Sequence, residues 1–537
     1  MNAKLRVAAI CLLLAALAGL VLLVVRPSLN PANVRPLPLI ALGWIAFLTA
    51  AWLLRKVRVR TAVVLILLGG IGIQVAAVCA PPRLSDDLYR YIWDGRVQAA
   101  GIDPYAYVPA SRQLAGLRDE FLWPPGADHC VPTSEVREHP ASDLTTGCTR
   151  INRPAVPTIY PPVAEAYFLA VHYEPSGSSS TTPIQATTAL MAVLTTVLLL
   201  FGLGRLGRDV RMAALWSWCP TVALEAGSSA HVDVVAVGIT AVALLVLATA
   251  RATRRTVLGG VLLGLAIATK VTPVLTVPAV LARGDDAAGL AACGGPSPPR
   301  RGMRRRWMTV ALAAGSAFTV VYVPHVLAVG GKVVGFLPGY MQQEGYDNGT
   351  RFGIIGLVLT GKLALAMAVL ILATVAFAVL QFSDPDRPWQ GAVVMTAAAL
   401  AVTTPRYEWY ALLLVMLVAL DGRPEWLAFA AGAYYAAEPD LGRYTIPNRL
   451  HDAVAYGVPV VVVAVGWFVR ELARRRGGGL APAVVPAAPA VVSATPAEPV
   501  VVGTAVVAGS PFAAPVTITA PVTITAPAAV PAAEVRV

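Results

Sequence analysis

The chain has 537 residues, 57% hydrophobic and only 13% charged, with a mean hydropathy of +0.66 and a formal net charge of +12. Soluble domains carry about a quarter charged residues, so this composition excludes an ordinary water-soluble globule. The basic excess does not point to nucleic acid either, because the arginines stand in short blocks between apolar runs, as the positive-inside rule expects of cytoplasmic loops.

The first apolar run, about Val7 to Val25, follows Lys4 and Arg6 and continues well past Ala16-Leu17-Ala18, which predicts a retained signal anchor rather than a cleaved signal. A second run, Pro38 to Leu54, ends in the basic block Arg55 to Arg60, predicted to be cytoplasmic. A third, Thr61 to Ala80, completes an N-terminal three-span segment over residues 1–80 and brings the chain to the opposite, external face.

Residues 81–182 form a long external interval, predicted to fold as a small lid or as amphipathic helices on the membrane. It opens with Ser85-Asp86-Asp87-Leu88-Tyr89-Arg90-Tyr91-Ile92-Trp93-Asp94-Gly95-Arg96, a cluster of acids, arginines and aromatics directly after a hydrophobic run. Ionisable groups at a membrane face are costly to desolvate and therefore mark function. The plainer alternative is an interfacial helix anchored by Tyr89, Tyr91 and Trp93. Cys130 and Cys148 share this interval, and an oxidising exterior favours their pairing over two free thiols. The interval closes through Tyr160-Pro161-Pro162 and Glu165.

Residues 183–476 read as a transmembrane core. Spans are predicted near Ile184 to Gly204 and Met212 to Leu224, then, beyond the external segment Glu225 to Asp233, down to Arg251. Thr256 to Leu281 is flanked by basic residues on both sides, which predicts a broken or re-entrant pair with Lys270 near its apex; a single tilted span with a snorkelling lysine is the alternative. After the basic loop Arg283 to Arg306, further spans lie near 308–325, 359–382, 389–404, 409–420, 425–437 and 453–469, about fourteen segments in all, with Arg406 in an external loop. From residue 477 the chain turns to Ala, Pro and Val, predicting a disordered cytoplasmic tail over 477–537.

The external loops thus collect Asp86, Asp87, His231, Asp233 and Arg406 at one surface. Carboxylates there suit proton abstraction from an attacking hydroxyl, and the arginine forks of Arg406 or Arg96 suit phosphate oxygens. Arg406 as an interfacial anchor and His231 as a structural residue are the plainer readings. Neither the Cys/His spacing nor the Asp86-Asp87 pair makes a specific metal motif.

The segment Asp86 to Arg96 followed by Ala100-Gly101-Ile102-Asp103-Pro104-Tyr105 resembles the first external loop of the GT-C superfamily, and more narrowly glycosyltransferase family 87 with its related actinobacterial polyprenyl-phosphate-mannose-dependent mannosyltransferases. Ile159 to Pro162, Glu225 to Asp233, Gly264 to Lys270 and Thr404 to Tyr410 occur in the same order as in that family. The resemblance implies an all-α polytopic enzyme of the plasma membrane, with its site on the extracytoplasmic face. It implies transfer of a sugar from a polyprenyl-phosphate donor to a lipid-linked, glycan or protein acceptor, without a cofactor. An aspartate of the first external loop would be the general base. The family's Asp-x-x-x-Tyr spacing falls on Asp87 and Tyr91, with Asp86 the alternative, while Arg90, Arg96, Tyr160, His231, Asp233, Lys270 and Arg406 become candidate donor contacts. A two-span hairpin before the catalytic loop and the length of the external interval depart from the family core. The competing function is a lipid or solute transporter, which calls for matched broken spans in two halves; a single broken pair favours the enzyme.

Overall fold

A computed structural model describes residues 2–30, 34–131, 144–283, 300–437 and 448–477. The tail beyond Gly477, most of the basic loop with Cys293, and residues 438–447 of the last external loop lie outside the described residues. The described chain is mostly helical, because a helix satisfies its own backbone donors and acceptors where no water is available.

Three apolar helices come first, α1 (Ala3–Val25), α2 (Pro36–Leu54) and α3 (Val59–Val78). The interval 81–182 supplies α4 (Asp87–Ala99), a minimal hairpin of β1 (His129–Cys130) and β2 (Cys148–Thr149), and α5 (Pro162–His172). Then follow α6 (Thr182–Arg205), a broken segment over 210–228, α7 (Asp233–Ala248), α8 (Thr253–Ile267), α9 (Arg300–Val329), α10 (Gly361–Phe382), α11 (Pro388–Thr403), α12 (Leu412–Asp421), α13 (Ala428–Ala437) and α14 (Asn448–Gly477). Among the described residues seven helices are long and apolar enough to cross a bilayer; α7 and α11 are apolar but shorter. The sequence count of about fourteen segments is larger because it includes short and broken helices, which length and composition alone do not assign as crossings.

Arginines fix the two ends of the bundle by donating to carbonyls that helix C-termini leave open. At the basic end Arg208 donates to the Asp421 carbonyl at 2.8 Å, Arg306 to that of Leu247 at 2.9 Å, and Arg211 to that of Val57 at 2.7 Å. At the other end Arg26 donates to the Cys79 carbonyl at 3.0 Å and Arg83 to that of Val24 at 2.8 Å. The broken segment 210–228 runs between the ends, and its indoles are satisfied inside the bundle: Trp216 donates to the Ala192 carbonyl at 2.9 Å and Trp218 to that of Ile66 at 3.3 Å.

The re-entrant element is present. α8 stops at Ile267, and a 3-10 turn (Thr272–Thr276) and a short helix (Val277–Val280) lead back to Arg283, whose backbone N–H donates to the Leu380 carbonyl at 2.8 Å. The Arg283 guanidinium stands 5.5 Å from the Trp307 ring, next to the Arg306 that caps α7, so both flanks share the basic end and Lys270 lies at the apex.

The interval 81–182 shares an apolar core with the segment before α7, with Leu88, Tyr91, Trp93, Leu114, Leu122, Ile151, Phe168 and Val232 buried together. Tyr89, Tyr91 and Trp93 are therefore interior side chains and not headgroup anchors.

Close approach of α8 to α9 relies on glycine: a Cβ on Gly264 would collide with the Ala314 carbonyl, and one on Gly260 would meet the Ala313 Cβ at 2.8 Å. Gly264→Val should cost about 1–3 kcal/mol, the usual penalty of overpacking. The thermal unfolding midpoint of detergent-solubilised protein should fall; an unchanged midpoint would contradict this packing.

Candidate active site

α4 begins at the external end of α3, with Asp86 as the preceding cap residue and Asp87 in its first turn, where a carboxylate is favoured by the helix dipole. The two neighbouring acids part company. Asp86 turns to the hairpin, where the His129 Nε2 lies 3.0 Å from its carboxylate, and is half exposed. Asp87 turns inward: Asn152 donates to its Oδ1 at 2.6 Å and the Tyr160 hydroxyl to its Oδ2 at 3.3 Å, leaving its side chain 17% exposed.

Asn152 is delivered by the hairpin. Cys130 and Cys148 face each other across the strand pair and form a disulfide. The following turn is tied down by the Arg150 N–H donating to the Leu122 carbonyl at 2.9 Å and the Ala110 N–H donating to that of Pro154 at 2.8 Å. Arg153 in this turn adopts a left-handed backbone (φ 49°), which is strained for a residue with a Cβ. Burial lowers the pKa of its guanidinium, but Tyr407, Asp87 and Glu344 outweigh that and raise it. It therefore stays cationic beside Asp87, with the Tyr407 side chain as its hydrogen-bond partner.

The broken segment ends in a π-helical turn over Ala223–Ser228, a geometry common at functional sites. Beyond it the His231 N–H donates to the Glu225 carbonyl at 2.8 Å, after Ala230 in a left-handed conformation (φ 54°). The His231 ring is fully buried and stacked on Trp409 with centroids 4.0 Å apart; Trp409 stacks in turn on Tyr407 at 4.6 Å. Its Nδ1 is 3.9 Å from the Asp87 carboxylate and its Nε2 3.4 Å from that of Glu225, too long or misaligned for hydrogen bonds. Burial pushes its pKa down to about 4, against the opposing pull of Asp87 and Asp233.

Lys270 reaches from the re-entrant apex to Asp233 in the first turn of α7, Nζ to Oδ2 2.9 Å, and lies 5.3 Å from the centroid of the Tyr160 ring. It is paired, not snorkelling. Tyr91 is stacked on Phe168 and edge-on to Tyr160, so it packs the wall from which the Tyr160 hydroxyl projects.

Asp87, Tyr91, Tyr160, His231, Asp233 and Lys270 thus come together, whereas three arginines singled out in the sequence are engaged elsewhere. Arg90 donates to both oxygens of Asp94 at 2.9 Å in a buried i,i+4 pair and to the Val156 carbonyl. Arg96 clamps the lid through Asp119 at 2.7 Å and through the Leu117 and Ser178 carbonyls. Arg406 pairs with Asp452 at 2.9 Å through one nitrogen and at 3.3 Å through another, and is about half exposed. No motif or spacing in the sequence singles out Asn152, Arg153 or Glu344. Glu344 accepts from the Tyr407 hydroxyl at 2.8 Å and from Arg351 at 2.7 Å. Among the described residues no three His, Cys, Asp or Glu side chains gather as metal ligands.

Residues 158–297, about a quarter of the chain, match the family model of glycosyltransferase family 87, in keeping with the resemblance of the sequence motifs. The match takes in Tyr160, His231, Asp233 and Lys270 and stops short of Asp87 and Arg406. No curated protein matches. A crystal structure of an Archaeoglobus fulgidus oligosaccharyltransferase tethered with an acceptor peptide is similar at 12% identity and a TM-score of 0.35, covering 76% of this chain and 54% of that one. This chain therefore spans about half the length of that relative.

The state of His231 has a measurable consequence. An unfolded histidine titrates near about 6.5, so between that value and about 4 the unfolded chain binds more protons than the folded one. This contribution to stability should be complete above pH ~6.5 and be lost progressively as the pH falls towards ~4. His231→Gln should flatten that part of the stability profile, measured as thermal midpoint against pH; an unaltered slope would mean that His231 is not buried neutral.

Proposed function

We propose that the chain is an integral membrane glycosyltransferase that moves a sugar, in our reading mannose, from a polyprenyl-phosphate donor to a hydroxyl of an envelope acceptor, working at the external face of the plasma membrane. The observation that carries this is the setting of Asp87: a carboxylate at the exit of a span, partly open to solvent and held by Asn152 and Tyr160. Arg153, which lies beside Tyr407, Asp87 and Glu344, and the Lys270–Asp233 pair stand near the same acid and histidine.

In this mechanism Asp87 removes the proton of the acceptor hydroxyl as its oxygen attacks the anomeric carbon. The bond from that carbon to the phosphate oxygen breaks with inversion, and polyprenyl phosphate leaves with both electrons of the bond. Arg153 and Lys270 offset the charge that develops on the departing phosphate. Neutral His231, stacked on Trp409, shapes the floor under the sugar and takes no proton in this scheme. The donors on Asp87 hold its free lone pairs towards the acceptor. Arg406 keeps the donor-phosphate role inferred from the sequence only if it exchanges Asp452 for phosphate.

Transfer assays with a polyprenyl-phosphate-sugar donor test the assignment. Asp87→Asn should lower turnover by about 10²-fold or more while donor binding stays within about twofold, since a base acts only at the chemical step. Asp86→Asn should keep most activity. Loss of activity in Asp86→Asn with retention in Asp87→Asn would move the base to Asp86, and retention in both would end the general-base scheme. Arg153→Ala should weaken donor binding about tenfold, the scale of one charge-assisted contact; an unchanged donor affinity there, with a loss in Arg406→Ala, would return the phosphate to Arg406.

A further inference from the structure

A second feature lies across α4 from Asp87. On that face Tyr89 meets Phe121 edge-on at 6.2 Å, and a cavity of about 290 Å³ opens beside them. Its walls come from the external end of α3 (Cys79, Pro81), from Tyr89 and Phe121, from Arg150 on the hairpin, and from the turn Ser179–Thr182 that begins α6. The tops of α3 and α6 are latched by Gln185, which donates to the Ala80 carbonyl at 2.9 Å and to that of Ser228 at 2.8 Å.

The chemistry of the walls is divided. Arg150 has no carboxylate at ion-pair distance among the described residues; its guanidinium is flanked by the Tyr89 and Phe121 rings at 5.8 and 5.6 Å. Ser179, Ser180 and Thr182 line the same space, with the Ser180 hydroxyl donating to the Thr182 hydroxyl at 3.3 Å. Towards the bilayer the neighbouring surfaces turn apolar: Val75, one turn below Cys79 on α3, is 58% exposed, and Leu190, two turns below Thr182 on α6, is 51% exposed. A cation and hydroxyl-bearing residues in the cavity, with exposed apolar side chains on the two adjoining spans, complement an anion joined to a hydrocarbon chain.

We propose that this cavity is a second lipid site, which binds the phosphate head of a membrane lipid through Arg150 and the Ser179–Thr182 hydroxyls while the hydrocarbon tail lies along α3 and α6. It is separate from the Asp87 cleft: α4 stands between them, and neither Arg153, His231 nor Lys270 lines it. It does not depend on the proposed transfer reaction.

Cys79, an exposed free thiol in the cavity wall, is a built-in reporter. Full-length protein in an uncharged maltoside detergent would be alkylated with a maleimide, and modification of Cys79 followed by peptide mass spectrometry. Dodecyl phosphate should slow Cys79 modification in a saturable way while leaving Cys11 unchanged; inorganic phosphate and dodecyl trimethylammonium should not. Arg150→Gln should shift the protecting concentration upward about tenfold. Ser180→Trp, which fills the mouth and retains Arg150, should abolish the lipid dependence. Arg153→Ala, in the other cleft, should leave it intact.

Equal protection by inorganic phosphate would make this a free-anion site and overturn the lipid assignment. Equal protection by the cationic amphiphile would reduce the cavity to an apolar crevice. Loss of protection in Arg153→Ala but not in Arg150→Gln would place the lipid phosphate in the Asp87 cleft alone, overturning the second site without touching the first.

Discussion

The ion pair between Lys270 and Asp233 is the contact on which the candidate site depends. An ammonium carried to the tip of a re-entrant segment is costly unless a counter-charge meets it there, and Asp233 in the first turn of α7 does so at 2.9 Å. The pair joins two elements that the backbone does not otherwise connect at that end. It also sets the floor over which the Tyr160 ring lies, and Tyr160 in turn donates to Asp87. Removing either charge leaves the other buried and uncompensated, so the geometry around Asp87 inherits its stability from a pair two contacts away.

Much of this was legible in the sequence, for reasons of physics rather than similarity alone. Alternating basic blocks ordered the ends of the helices because arginine is costly in hydrocarbon and useful where helix carbonyls are left open. Two basic flanks around one short apolar stretch implied the re-entrant pair at Lys270, and the helix breaks after Ile267. What could not be read is which ionic groups would find each other across the chain. Arg90 has Asp94 one turn along its own helix, a pairing the sequence offered and a donor-binding assignment passed over. Arg406 meets Asp452 across 46 residues, and Asn152 reaches Asp87 across 65; no local pattern encodes either contact. The distinction between Asp86 and Asp87 likewise comes from geometry, since one carboxylate faces the hairpin and the next faces the histidine.

Residues 81–182 show how a chain rich in apolar helices builds a folded region between two of them. Around Tyr91 and Trp93 the aromatic residues that suggested an interfacial anchor instead build an apolar core shared with Phe168 and Val232. Two buried carboxylates beneath it, Asp94 and Glu165, have pKa values raised by burial, most strongly for Glu165; Thr158 and Gln98 hold Glu165, and Arg90 answers Asp94. Such a polar layer rigidifies α4 against α5 and fixes the angle at which α4 presents its first turn.

The disulfide at the base of the hairpin has a consequence for biogenesis. Asp87 follows the third apolar helix, while Asn152 and Arg153 follow the second cysteine, and His231, Lys270 and Tyr407 arrive only after later helices have been made. A nascent chain therefore exposes the acid long before it owns the groups that orient it. The disulfide between Cys130 and Cys148 closes the hairpin just before Asn152 and Arg153, so the bond and the asparagine that donates to Asp87 belong to one short segment. The acid is thus made before, and carried apart from, the groups that orient it: Asp87 stands in the first turn of a helix and Asn152 on a turn fastened next to the disulfide.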